Sequence, residues 1–167
     1  MKSKHAEFKP GQRRGLLAFM VLLMFSAVLC AQESREMSAA ELSRGIVLTF
    51  SGTELSADYL LLSDSAAHRL DLSQISLDGE ILLARISREA PALAKTVHWY
   101  FDEAQQRLVI DLGELRDHIR PDSRLEIVIT PLNVLEKRLR LSVMPAAQAA
   151  DGGDDLAVIK DVNVDIK

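Results

Sequence analysis

This chain has one cysteine, Cys30, and few ring side chains: one tryptophan, two tyrosines and five phenylalanines. A single cysteine excludes an internal disulfide and a thiolate metal cluster. The four histidines, His5, His68, His98 and His118, are widely separated, and none stands two or four positions from another. Zinc sites usually show such close pairs, so solvated or hydrogen-bonded histidines are expected, with no metal and no cofactor. No Gly-x-Ser-x-Gly element is present, and "FSG" at Phe50 is only a strand end. No catalytic residue is identified, and the expectation is a non-enzyme. A carboxylate pair assembled by folding is the one route to a hydrolase that a sequence does not display, with Asp71, Asp102, Glu103 and Asp111 as its plausible members.

Positive charge is scarce outside the N-terminus. Lys2, Lys4, Lys9, Arg13 and Arg14 stand there against one acid, Glu7. Of the 20 Lys+Arg and 24 Asp+Glu, the first 31 residues hold five and one; the rest carries 15 against 23, a net of −8. So acidic a chain, without a basic run, does not fit a nucleic-acid binder or a domain docked on anionic lipid by charge.

What the N-terminus does have is "GLLAFMVLLMFSAVLCAQE", behind that basic cluster. Leu16 to Leu29 is an apolar or small-residue run of 14, the length of a secretory h-region. A spanning helix needs about 20 such residues. Residues 1–31 are therefore expected to be a signal helix cleaved after Ala31, with a retained membrane anchor as the alternative. Cys30 is the lipidation candidate, but Leu29 departs from the small residue a lipoprotein signal places before its cysteine. "RRGLLAF" matches the twin-arginine pattern poorly, which favours general secretion. The location expected is periplasmic or extracellular, with contact to the membrane only through this segment.

Residues 32–44 are polar and alanine-rich, flexible or a short helix; Ser38 and Glu41 form a capping-box pattern. From Gly45 the pattern turns to period two. "GIVLTF", "ADYLLLS", "HRLDLSQISL", "EILLARIS", "KTVHWYF", "QRLVIDL", "RLEIVIT" and "KRLRLSVM" each read as a strand bounded by turn chemistry. Asp78-Gly79 marks a hairpin, and the strand after it should end before Pro91. Strict alternation implies sheets wetted on one face. "LGELRDHIRPDS" is the single helical interruption, a turn crossing between two sheets and closed by Pro121. The class expected is all-β: an antiparallel sandwich of about seven to nine strands over residues 45–144, with one short helical crossover. Residues 145–155 read as a linker or long loop. Within it "DGGDD" (Asp151–Asp155) has oxygen ligands but no calcium-site spacing. Residues 156–167 form an amphipathic strand with Val162, Val164 and Ile166 on one face.

The block "VHWYFDEAQQRLVIDLGELRDHIRPDSRLEIVIT", Val97 to Thr130, has an aromatic strand, a polar hairpin, an apolar strand and a leucine-bearing turn before the next strand. Together with "GIVLTFSGTELSADYLLLSDS" it resembles bacterial immunoglobulin-like sandwich domains, over Gly45 to Met144. The resemblance is one of pattern, without a cysteine pair, and Trp99 is its distinctive residue. It implies adhesion, assembly or ligand holding and specifies no chemistry. Trp99 and Phe101 share the face of Val97 and are expected in the core. Tyr100 and His98, opposite them, are the candidate ligand-binding residues, as in a carbohydrate-binding module. Val162, Val164 and Ile166 are the candidate partner strand, able to pair within the chain's own sandwich or with another protein's sheet edge. The function expected is an exported, non-catalytic protein that binds another envelope protein.

Overall fold

The period-two segments all form strands. The computed structural model describes residues 31–86, 96–134, 136–151 and 156–167. In chain order these hold β1 (Ala31–Met37), a one-turn helix α1 (Ala39–Leu42), β2 (Ile46–Ser51), β3 (Tyr59–Asp64), β4 (Leu70–Leu77), β5 (Glu80–Ile81), β6 (Leu83–Ile86), β7 (Thr96–Asp102), β8 (Arg107–Asp111), β9 (Arg124–Pro131), β10 (Arg138–Ala146) and β11 (Lys160–Ile166). The described residues make two sheets, one of seven strands in the order β1-β11-β10-β3-β8-β7-β6 and one of four in the order β2-β9-β4-β5. Pairing is antiparallel except at the two ends of the larger sheet, where β1 runs parallel to β11 and β6 parallel to β7.

The architecture is the expected all-β sandwich, with nine strands from β2 to β10 and the expected C-terminal strand β11, and it differs in two details. Residues 31–37 form β1 rather than a flexible or helical segment, because the neighbouring β11 presents a free ladder to pair with. "EILLARIS" is two strands, not one. Glu80–Ile81 closes the hairpin with β4, then the buried Leu82 carries the chain across to the larger sheet. At the hairpin tip Asp78 and Gly79 both have positive φ, 52° and 85°, as a two-residue primed turn requires. The Ser38–Glu41 capping box is closed: the Ser38 amide donates to the Glu41 carboxylate at 2.8 Å, and Ser38 Oγ accepts from the Glu41 amide at 3.3 Å. The helical crossover is a 3-10 segment, Gly113–His118, that buries Leu115 as the chain passes from the larger sheet to the smaller.

The core lies between the sheets. Ile46, Leu48, Phe50, Leu125, Ile127 and Ile129 line it from the small sheet, and Leu60, Leu62, Leu108, Ile110, Val162 and Val164 from the large one. Trp99 is buried here and Phe101 packs beside it. β4 needs a correction to its alternation, because Leu72 and Ile75 are three residues apart and both face the core. A bulge between Leu72 and Gln74 supplies the extra residue, and Ser73 Oγ lies 2.6 Å from Thr130 Oγ1.

The large sheet is not wetted along its whole outer face, contrary to the sequence expectation. Leu61, Val109, Met144 and Ala146 form a second buried cluster there, flanked by Tyr59, Tyr100, Ala149, Leu156 and Val158. The segment after β10 therefore lies on the sheet rather than linking freely. Arg107, 3% exposed, fastens it by donating to the carbonyls of Asp151 at 2.7 Å and Ala149 at 3.0 Å. This double burial explains why "YLLL" and "LVI" are continuous apolar runs.

Candidate functional site

The other half of that outer face stays polar. Alternation in "RLRLS" and "DVNVD" turns Leu139, Leu141, Val162 and Val164 inward, and puts Arg138, Arg140, Ser142, Asp161, Asn163 and Asp165 outward. With Gln32 and Ser34 of β1 and Ser65 at the end of β3, they line an open groove of about 720 Å³. The register stacks these residues in rows. Ser34, Asn163 and Arg140 stand side by side across three strands, and so do Gln32, Asp161 and Ser142. Arg138 Nε donates to Asp165 at 2.7 Å, and Ser142 Oγ donates to Asp161 at 2.6 Å. The guanidinium of Arg140 sits exposed in the middle. Acids, arginines and hydroxyl or amide groups thus alternate on the sheet. Such a surface offers hydrogen-bonding groups and charges of both signs.

One wall of the groove ends at a seam between the sheets. Lys160, 6% exposed, reaches across to the carbonyl of Thr49 on β2 and lies 4.9 Å from the Phe50 ring centre. Its carboxylate partner is Glu33 of β1, at 3.6 Å. Glu33 also pairs closely with Arg35, which donates to the carbonyl of Val47 at 2.8 Å. Burial alone would raise the Glu33 carboxyl; the hydrogen bond and charge of Arg35, with the charge of Lys160, outweigh it and hold the group below its usual 4.5. The outer edge of β2 is thereby covered by cationic side chains from the other sheet, a standard way to blunt an edge strand.

The residues singled out in the sequence fall elsewhere. Tyr100 is half-buried against the second buried cluster, beside Val109 in the register. His98 is half-buried across from Asp111. Neither lies in the groove. β11 is not a spare strand: seven of its residues pair with β1 and six with β10, and Val162 and Val164 are fully buried. Of the two pairings open to it in the sequence, β11 makes the one within this chain, with both of its edges taken.

The four acids considered for a hydrolase serve local structure. Asp71 and Glu103 face Arg69, at 3.8 and 2.7 Å; Asp102 accepts from the Ala104 amide and Asp111 from the Gly113 amide. His68 is bound through Nδ1 to the buried Asp64 at 2.7 Å, and Asp64 also accepts from the amides of Ala66 and Arg140. Among the described residues no three metal-ligating side chains gather, and no helix is long and apolar enough to cross a membrane. Cys30, the expected signal segment before Ala31, the expected strand end before Pro91 and residues 152–155 lie outside the described residues.

Sequence reasoning missed the groove. Its signal was present in the alternation of Arg138 and Arg140 with leucines. Only the tertiary pairing places them beside Asp161, Asn163 and β1.

Fold and site together define a two-sheet β-sandwich with one polar, hydrogen-bonding face. No protein-family model matches this chain, and no curated protein sequence matches it. Among solved structures it is similar to the collagen-binding domain from a Staphylococcus aureus adhesin, at 12% identity over 78% of this chain and 92% of that one, with a TM-score of 0.39.

Proposed function

We propose that this protein is an exported, non-catalytic sandwich of the bacterial immunoglobulin-like kind that binds another protein of the cell envelope through the polar face of β1, β11 and β10. The observation that carries the reading is the groove itself: an open array of alternating charges and hydrogen-bonding groups centred on Arg140. Such mixed-charge faces select partners by electrostatic complementarity and register. The basic, apolar N-terminal segment supports export, to the periplasm or the cell exterior.

A photo-crosslinking residue at Gln32, in the groove, should capture the partner in intact cells, while one at Glu80, on the distant hairpin, should not. Arg140→Glu should cut that capture by about tenfold and leave the thermal midpoint within a few degrees of the parent. Equal capture from both positions, or capture indifferent to Arg140→Glu, rejects this face as the site. Mass spectrometry of the purified protein should find Gln32 as its first residue. A chain that keeps residues 1–31 would instead make it membrane-anchored.

A further inference from the structure

β1 is an unusual component of its sheet. Among its described side chains Met37 is the one that packs on the main core, whereas β11 beside it buries Val162 and Val164 completely. β1 is held instead by a seven-pair parallel ladder and by the Glu33–Arg35–Lys160 cluster. The chain downstream is anchored independently, because Leu42 of α1 is in the core. Release of β1 would therefore leave this downstream anchor in place.

We infer that β1 is an exchangeable strand, and that the edge of β11 it covers accepts the β1 segment of a second copy of this chain. Charge complementarity names the occupant. Once β1 leaves, the ammonium of Lys160 faces the vacated edge without its carboxylate, so an incoming strand must bring an acid at the register position opposite Val162. It must also bring a long cation two residues later to reach the Val47 carbonyl. The segment "AQESREM" of another copy meets both requirements at the same register. Exchanging an identical element is a low-cost route to a dimer, because each copy regains the contacts it gives up. The inference concerns self-association and holds whether or not the groove has a further partner; Arg140→Glu, which leaves β1 intact, tests that face separately.

The test uses the chain beginning at Gln32 with Ser34→Cys and Asn163→Cys, which then holds no other cysteine. Positions 34 and 163 are directly opposed in the ladder, so oxidation of isolated monomer before mixing locks β1 in its own molecule. Two differently tagged preparations are mixed, and mixed dimers are measured by co-purification and light scattering. A labelled peptide of residues 31–37 is offered in parallel. Under reducing conditions mixed dimers form and the peptide is taken up, both are lost on oxidation, and a peptide with Glu33→Lys is taken up about tenfold less. Association undiminished by oxidation, equal uptake of the two peptides, or neither exchange nor uptake when reduced would each overturn the inference.

Discussion

Lys160 shows how a single residue ties the two sheets together. Its stem belongs to β11, its ammonium reaches a carbonyl of β2, and its counter-ion sits on β1. Glu33, about a third exposed at 35%, is the partner whose ionisation matters. Because its carboxyl is held below the usual 4.5, the folded state binds that proton less readily than the unfolded one. The resulting stabilisation is present above the unfolded value and is lost as pH falls through the lowered one. Glu33→Gln should therefore be less stable than the parent at neutral pH, and the difference should shrink below about pH 4.5 in paired urea titrations. Solvent screening keeps the effect modest, within about 1 kcal/mol. A difference that stays constant down to about pH 3 would remove the carboxylate from the account. No sequence signal pointed to this residue: Glu33 lies in a polar stretch, and its role depends on a lysine 127 positions away.

At the level of elements, the hairpin between β4 and β5 was legible because turn chemistry is local. Asp78-Gly79 announces a positive-φ pair, and the structure has one. What was not legible is that Asp78 also caps β9. Its carboxylate accepts from Ser123 Oγ at 3.0 Å and from the Arg124 amide at 2.7 Å, 46 residues along the chain. Asp78→Gly keeps the turn conformation and removes both bonds, so it should cost about 1–3 kcal/mol in chemical denaturation. No loss would show those donors to be equally well served by water. The bulge in β4 was partly readable, since Leu72 and Ile75 break the period of two. The split of "EILLARIS" was not, because the decision to cross between sheets at Leu82 is made by the core it fills.

Across the whole molecule, the late strand decides stability. β11 was open to pairing within the chain or outside it; it lies second from the edge of its own sheet. Burying Val162 and Val164 contributes about 1.5–3 kcal/mol each, and the strand also completes the ladders of β1 and β10. Against a typical total stability of about 5–15 kcal/mol, loss of the whole strand is not tolerable. Deleting Lys160–Lys167 should therefore abolish the cooperative unfolding transition and make the domain rapidly proteolysed. A truncated protein that still melts cooperatively would show β11 to be dispensable to the fold.

Apart from β1 and the split between β5 and β6, strand positions, with the hairpin tip, the capping box and the 3-10 crossover, were determined by the sequence alone, because alternation, turn residues and caps act over a few neighbouring residues. The all-β class followed from the same local signals. Which strands share a sheet, which outer face is covered and where the polar groove lies were decided only in tertiary structure. Those outcomes depend on pairings between residues as distant as β1 and β11, and the same alternating pattern is compatible with many such pairings. Arg140 and Tyr100 both read as solvent-facing members of alternating strands; Tyr100 packs half-buried against the second cluster, and Arg140 stays exposed in the groove.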